Sequence, residues 1–135
     1  MSYPAMKEAG VDVRLGTDGA ASNNSLDLRK EAKAASMIQR HDHWDATILD
    51  PVETWMLATK DSKDWVSWDL SDIRMRPLGR NGRRILANLV YSDARCMDVF
   101  VGGKTVRRNG VTQTLDEKRI ATNLEDASIE YYRDI

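Results

Sequence analysis

Residues 11–19, VDVRLGTDG, constrain the fold of this chain more than any other stretch. Val11, Val13 and Leu15 alternate with Asp12 and Arg14, the two-residue period of a β-strand, and the run ends in Gly16-Thr17-Asp18-Gly19. Ahead of it, residues 4–9 carry good helix formers, with Pro4 near the first turn and Gly10 as a stop. Behind it, Ser25 is a fair N-cap for a helix over 26 to about 39, with Leu28, Ala32, Ala35 and Ile38 at near-helical spacing. Helix, strand, helix is the rhythm of an α/β protein, whose parallel strands sit in sheets covered on both faces. A single such strand leaves its edges unpaired. It must pair with strands later in the chain, or belong to a sheet that another polypeptide supplies.

The rest of the chain supplies a different kind of structure. Asp50-Pro51 restarts a helix, with Asp50 as cap and Val52, Trp55, Met56 and Thr59 on one face. After the polar connector KDSKD, residues 65–70 read as a short strand, RMRPLGRNGRR as a loop, and 85–91 as ambiguous between strand and helical turn. The clearest β signal is a hairpin: residues 97–101, the turn Gly102-Gly103, and residues 104–108. Leu115-Asp116 opens a final helix with Ile120, Leu124, Ala127 and Tyr131 on one face.

Charge and cysteine content narrow the function classes. Lys and Arg number 20 against 21 Asp and Glu, a formal charge of -1, which argues against a nucleic-acid or anionic-membrane binder. The one local basic cluster, Arg74, Arg76, Arg80, Arg83 and Arg84, reads as a solvated loop or as a contact surface. The single Cys96 allows no internal disulfide, so a reducing compartment, the cytoplasm, is expected. No apolar run approaches the ~20 residues that span a bilayer, and the N-terminus lacks the layout of a signal peptide.

Taken in order, EAGVDVRLGTDGAASNNSLDL, ATKDSKDWVSWDLSDIRMRPL, NLVYS and MDVFVGGKTVRRNGVTQTLDE resemble the C-terminal third of the metal-dependent amidohydrolase superfamily. The branch is that of the 5′-methylthioadenosine/S-adenosylhomocysteine deaminases and chlorohydrolases. The resemblance implies a fold between α/β and α+β: a C-terminal fragment of a (β/α)8 barrel, its last strand and helices, plus part of a small antiparallel β domain and a terminal helix. Residues 1–62 would be the barrel-derived helix–strand–helix segment and 63–135 the β-hairpin region with its helix. Residues 11–17 would be the eighth barrel strand. Asp18 would stand where such barrels keep their chemistry, at the C-terminal ends of strands, as a metal ligand that also handles the proton of the attacking water. The cofactor implied is zinc or iron, and the reaction is hydrolytic deamination of a purine-like or triazine-like ring. Relatives carry roughly twenty more residues between the last barrel helix and the β domain, an ordinary length for a loop and one element.

The same resemblance implies that most of the metal site lies elsewhere. The family draws histidines and a glutamate from earlier strands, and a catalytic zinc holds three or more protein ligands. Asp18 is the one ligand that the resemblance assigns to this chain. Tight metal binding by the chain alone is not expected, and a small-molecule substrate is expected only if the barrel is completed. A turn or N-cap aspartate is the bland alternative for Asp18. His41-Asp42-His43 would put two rings on one face of a strand, but the triplet follows a helix and reads as a surface loop. Trp44, Trp55, Trp65 and Trp68 are expected in a core or an interface. Two functions from different classes follow: a segment that completes a barrel with a complementing N-terminal chain, or a non-catalytic small protein, a relic or a homo-oligomerising module that folds on its own.

Overall fold

A computed structural model describes residues 2–133. They form two compact units: the chain through Ser62 together with Leu70–Ala94, and Lys63–Asp69 together with the chain from Arg95. The class is α+β, with helices in the first unit and an antiparallel sheet in the second. The expected division at 62/63 therefore differs at 70–94, which joins the first unit because its helix packs on the helices before it.

The first unit is built from α1 (Tyr3–Glu8), α2 (Ala20–Asn23), α3 (Leu28–His43), α4 (Pro51–Thr59), a 3-10 turn (Ile73–Met75) and α5 (Gly82–Tyr91). Side-chain caps set where the helices start. Asp27, two residues past Ser25, opens α3 by accepting the Arg29 N–H at 3.0 Å. Asp50 opens α4 by accepting from Val52 and Glu53, with Pro51 in the first turn. Asn81 opens α5 by accepting from Arg84 at 3.1 Å. The ambiguous segment 85–91 is thus helical. Ile85, Leu86, Leu89 and Val90 fall on one face at helical spacing, and Leu89 and Val90 are buried.

Helices α3, α4 and α5 pack on one another around a small core of Ala32, Ser36, Leu49, Thr54, Met75, Leu89 and Val90. Ala32 and Ser36, one turn apart and fully buried, present small side chains to the helices that cross α3. Leu49 has positive φ, 49°, and its carbonyl is turned into this core. It accepts from Ser36 Oγ at 2.9 Å, Thr54 Oγ1 at 2.8 Å and an Arg40 guanidinium N–H at 2.9 Å, which ties α3, α4 and their connection together.

Residues 11–19, expected as a strand, have no regular secondary structure. The reason is the one the sequence pattern poses: a strand exists through its neighbours, and among the described residues no strand of the first unit lies beside this one. One backbone bond, Leu15 N–H to the Leu57 carbonyl at 3.0 Å, holds the segment to α4. Asp12 adds ion pairs to Arg14 at 3.0 Å and Lys60 at 2.5 Å.

The second unit is a four-stranded antiparallel sheet in the order β1 (Trp65–Trp68), β2 (Cys96–Val101), β3 (Lys104–Arg108), β4 (Val111–Thr112), followed by α6 (Glu117–Tyr132). The expected hairpin is present, with Gly102 and Gly103 both at positive φ in its turn. Trp65 lies opposite Phe100 and the rings stack with centroids 3.6 Å apart. Asp98 joins three points of the sheet: its carboxylate accepts from Ser67 Oγ at 2.7 Å and from Asn109 N–H at 2.9 Å, and its N–H donates to Ser67 Oγ. These bonds hold its carboxyl below the ordinary aspartate value. Among the described residues, no helix is long and apolar enough to cross a membrane.

Candidate active-site segment

Asp18 sits where irregular backbone turns into α2. Its φ of 56° is the left-handed conformation, which aspartate tolerates better than bulkier residues. The turn leaves the carboxylate exposed. Ser22 Oγ lies 2.9 Å from Asp18 Oδ2 and also 2.9 Å from the Gly19 carbonyl. A hydroxyl has one proton to donate, so the two acceptors share it. Asp18 Oδ1 accepts no hydrogen bond from the described residues.

The loop around Asp18 is anchored from below. Both protons of the Asn23 side-chain amide are used, one on the Thr17 carbonyl and one on Glu31 Oε1, each at 2.8 Å. Glu31 stands in the first turn of α3, so this amide fixes the Asp18 turn to the first long helix. Asn24, at φ 53°, closes α2. Sequence reasoning singled out Asp18 but not Ser22 or Glu31. The signal was present in the spacing, since a serine four residues after an aspartate can reach back across one turn.

The structure separates the other candidates from this site. His41 and His43 lie in the last turn of α3 rather than on a surface loop, and α3 runs four residues past its expected end. Two residues apart on a helix is about 200° of rotation. The rings diverge: His43 Nε2 meets Ser2 Oγ at 3.2 Å, while His41 lies by Trp44. Trp44 itself is 90% exposed, so of the expected core or interface position the core is excluded. In the basic cluster, Arg74 pairs with Asp72 and Asp93 and Arg83 with Asp50, while Arg76, Arg80 and Arg84 point into solvent. A cleft of about 540 Å³ between α1, α4 and residues 11–13 does not include Asp18. Its cations are matched within it: Lys7 by Glu53, Lys60 by Asp12 and Arg83 by Asp50. Tyr3 donates to Glu53 at 2.8 Å there, and burial together with that carboxylate pushes its pKa up to about 12.

The donor set decides what metal chemistry the chain can support by itself. Among the described residues, no group of three or more His, Cys, Asp or Glu side chains converges as a metal site would need. Asp18 offers a carboxylate with one oxygen open, which suits one ligand position and not the three of a catalytic zinc.

No family model matches the chain. The 5-methylthioadenosine/S-adenosylhomocysteine deaminase of Bacillus cytotoxicus is 37% identical to it over 133 residues, covering 86% of this chain and 30% of that protein. The enzyme of the same name from Bacillus thuringiensis is 38% identical over 136 residues, with the same coverage. Among solved structures, an adenosine deaminase from Xanthomonas campestris with bound zinc matches with a TM-score of 0.81 at 26% identity, over 97% of this chain and 33% of its own. An amidohydrolase from a Sargasso Sea environmental sample matches with a TM-score of 0.69 at 21% identity, a likeness of fold, over 99% of this chain and 34% of its own. The chain thus spans about a third of the length of these relatives. Over its matched length the chain is similar in sequence to 5-methylthioadenosine/S-adenosylhomocysteine deaminases and in fold to a zinc-bound adenosine deaminase and an amidohydrolase, consistent with a C-terminal segment of the metal-dependent amidohydrolase superfamily.

Proposed function

We propose that this chain is the Asp18-bearing segment of a hydrolytic deaminase acting on a purine-like or triazine-like ring, whose remaining site residues come from polypeptide outside these 135 residues. In this reading residues 11–17 become the eighth strand of a (β/α)8 barrel once a neighbouring strand pairs with them. Asp18 then stands at the strand's C-terminal end, where such barrels work. The observation that carries the reading is the built turn at Asp18: a left-handed backbone, Oδ2 held by Ser22, Oδ1 open, and the loop fixed to α3 through Asn23 and Glu31.

In the completed site Asp18 is the ligand that this chain provides for a zinc or iron ion. Such an ion, when bound, lowers the pKa of water toward ~7. The work of this chain's own residues is to aim a carboxylate and move a proton. Asp18 takes the proton of the attacking water and returns it to the leaving amine, the ordinary duty of a general base that becomes an acid. Ser22 keeps one carboxylate oxygen oriented, which leaves the other for ligation and proton transfer. Alone, the chain is expected to show no deaminase activity and no stoichiometric zinc, because one carboxylate does not hold the ion against water.

The test is complementation. The chain is mixed with the N-terminal two-thirds of the Bacillus cytotoxicus enzyme, and deamination of 5-methylthioadenosine is followed by absorbance. Activity should appear in the mixture. Asp18→Asn should lower it by ~10²–10⁴-fold with assembly retained, while His41→Ala and His43→Ala leave it near the original level. Wild-type turnover by Asp18→Asn would overturn the assignment. An assembled but inactive mixture would favour the other reading, a non-catalytic small protein that folds on its own.

A further inference from the structure

The tripeptide Arg-Asn-Gly occurs twice, at residues 80–82 and 108–110, and the fold holds the two copies differently. An asparagine followed by glycine is open to attack on its own side chain, because glycine has no Cβ to shield the main-chain nitrogen that follows. At 108–110 that nitrogen is occupied. Asn109 and Gly110 form the tight turn between β3 and β4, both at positive φ, 50° and 78°. Gly110 N–H donates to the Met97 carbonyl at 2.8 Å, and Asn109 N–H donates to the Asp98 carboxylate at 2.9 Å. At 80–82 the nitrogen is free. Asn81 is the N-cap of α5 and Gly82 is its first residue, so the Gly82 N–H is one of the helix-end donors that lack an intrahelical partner. It has no other partner among the described residues, and both Asn81 and Gly82 are exposed.

We propose that Asn81 is a site of spontaneous deamidation, activated by the start of α5, and that Asn109 is protected by its turn. The step needs water and nothing else. The Gly82 main-chain nitrogen gives its proton to solvent and attacks Asn81 Cγ. The new N–Cγ bond closes a five-membered imide, and the side-chain nitrogen leaves as ammonia with a proton taken back from solvent. Water then opens the imide at either carbonyl, giving aspartate or isoaspartate. Negative charge develops twice on this route, on the attacking nitrogen and on Asn81 Oδ1. Arg84 N–H already donates to that Oδ1 at 3.1 Å, and the positive end of the α5 dipole lies there too. Arg80 and Arg84 are exposed cations beside the site, and the first turn of α5 carries no acidic side chain to offset them. At Asn109 the Asp98 carboxylate, bonded to the Asn109 N–H, opposes the same charge.

The two products differ in what they do to the fold. Aspartate at position 81 remains an N-cap and adds a carboxylate at the positive end of α5. Isoaspartate routes the main chain through the former side chain, lengthens it by one carbon and takes away the acceptor of the Arg84 N–H. Because α5 carries Leu89 and Val90 into the core, the isoaspartyl form is the less stable of the two. Neither Asp18 nor a metal takes part in this chemistry, so its outcome is independent of the proposed deaminase role.

The experiment is storage of the full chain in warm, mildly alkaline buffer, followed by digestion in acid and peptide mapping by mass spectrometry. Both sites read Arg-Asn-Gly, so the chain unfolded in guanidinium chloride supplies the reference, and there the two asparagines should react at similar rates. In the folded chain Asn81 should show the one-dalton mass gain of deamidation at least about tenfold faster than Asn109, the difference made by the bond that occupies Gly110 and by the charges around each site. Arg80→Glu and Arg84→Glu leave the main-chain donor at position 84 in place. Each should slow the reaction at Asn81 several-fold, with circular dichroism confirming that the variant is folded. Asn81→Ser keeps a cap and should abolish the mass gain in its peptide. Equal rates in the folded chain, a faster loss of Asn109, or a rate at Asn81 indifferent to both charge reversals would each overturn the proposal.

Discussion

Ser36 shows how much one small polar side chain contributes in this molecule. Its hydroxyl is fully buried in the middle of α3, donates to the Leu49 carbonyl at 2.9 Å and lies 2.7 Å from the Tyr91 hydroxyl. The same carbonyl also takes Thr54 and Arg40, so it stays satisfied if Ser36 is lost. The exposed deficit would fall on Tyr91, which is half-buried and belongs to α5. Ser36→Ala therefore gains a few tenths of a kcal/mol in helix propensity and loses a buried hydrogen-bond partner worth about 1–3 kcal/mol. A net destabilisation of about 1–2 kcal/mol is expected in urea unfolding. A variant as stable as the parent would mean that the hydroxyl serves only to fill space. Asp18 is the opposite case at the same scale. It is exposed, with strained backbone and one idle oxygen, an arrangement that packing does not require and chemistry can use.

At the scale of elements, Asp27 governs the longest helix of the first unit. Its carboxylate accepts the Arg29 N–H and is gripped by the Arg29 guanidinium at 2.7 and 3.0 Å, while Arg29 reaches on to the Ala94 carbonyl at 2.8 Å. Burial works to raise its pKa, but the side-chain and backbone hydrogen bonds from Arg29 prevail and hold it below the ordinary 3.8. A carboxyl whose folded value is depressed stabilises the fold above its unfolded value. That contribution is lost as pH falls through the folded one. Asp27→Asn keeps an acceptor but gives up the charge. It should lower stability at pH 7 by about 1 kcal/mol and match the parent at pH values below the folded pKa, a convergence that urea melts across pH 2–7 would reveal. Parallel curves down to pH 2 would assign the bond no electrostatic part. Elements of this kind were legible in the sequence where a local signal sufficed. Asp50-Pro51, the Gly102-Gly103 hairpin and Asp116 carry their caps and turns in two or three residues. Residues 11–17 were not, because alternation specifies which side chains could face a sheet and says nothing about whether a neighbour is present. The segment 85–91 was ambiguous for a related reason: a short apolar run is compatible with either period until the cap at Asn81 is counted. At the site, Asp18 was legible only through resemblance, and its supports, Ser22 and Glu31, emerged from the turn geometry.

For the whole molecule, burial is divided unequally between the two units. Among the described residues, every one that is buried, from Tyr3 to Ala94, belongs to the first unit, while the strands of the second hold side chains that are at best half-buried. The sheet leans instead on its ladders, on the Trp65–Phe100 stack and on the bonds that converge on Asp98. Ladder bonds near solvent contribute little net free energy, because water replaces them when they open, whereas buried apolar area is the main favourable term in folding. Local opening should therefore be easier in the sheet than in the helical core. Native-state hydrogen exchange tests this directly. Amides in the middle of α3 and α5 should exchange at least about tenfold more slowly than those of β1 and β3, a gap of ~1.4 kcal/mol in opening free energy. α6 should exchange fastest of the long helices, since none of its residues is buried and Ile120, Leu124 and Tyr131 remain 46–69% exposed. Equal protection across both units would mean that they open together as one cooperative block. The sheet would then draw its stability from the helical unit rather than from its own contacts.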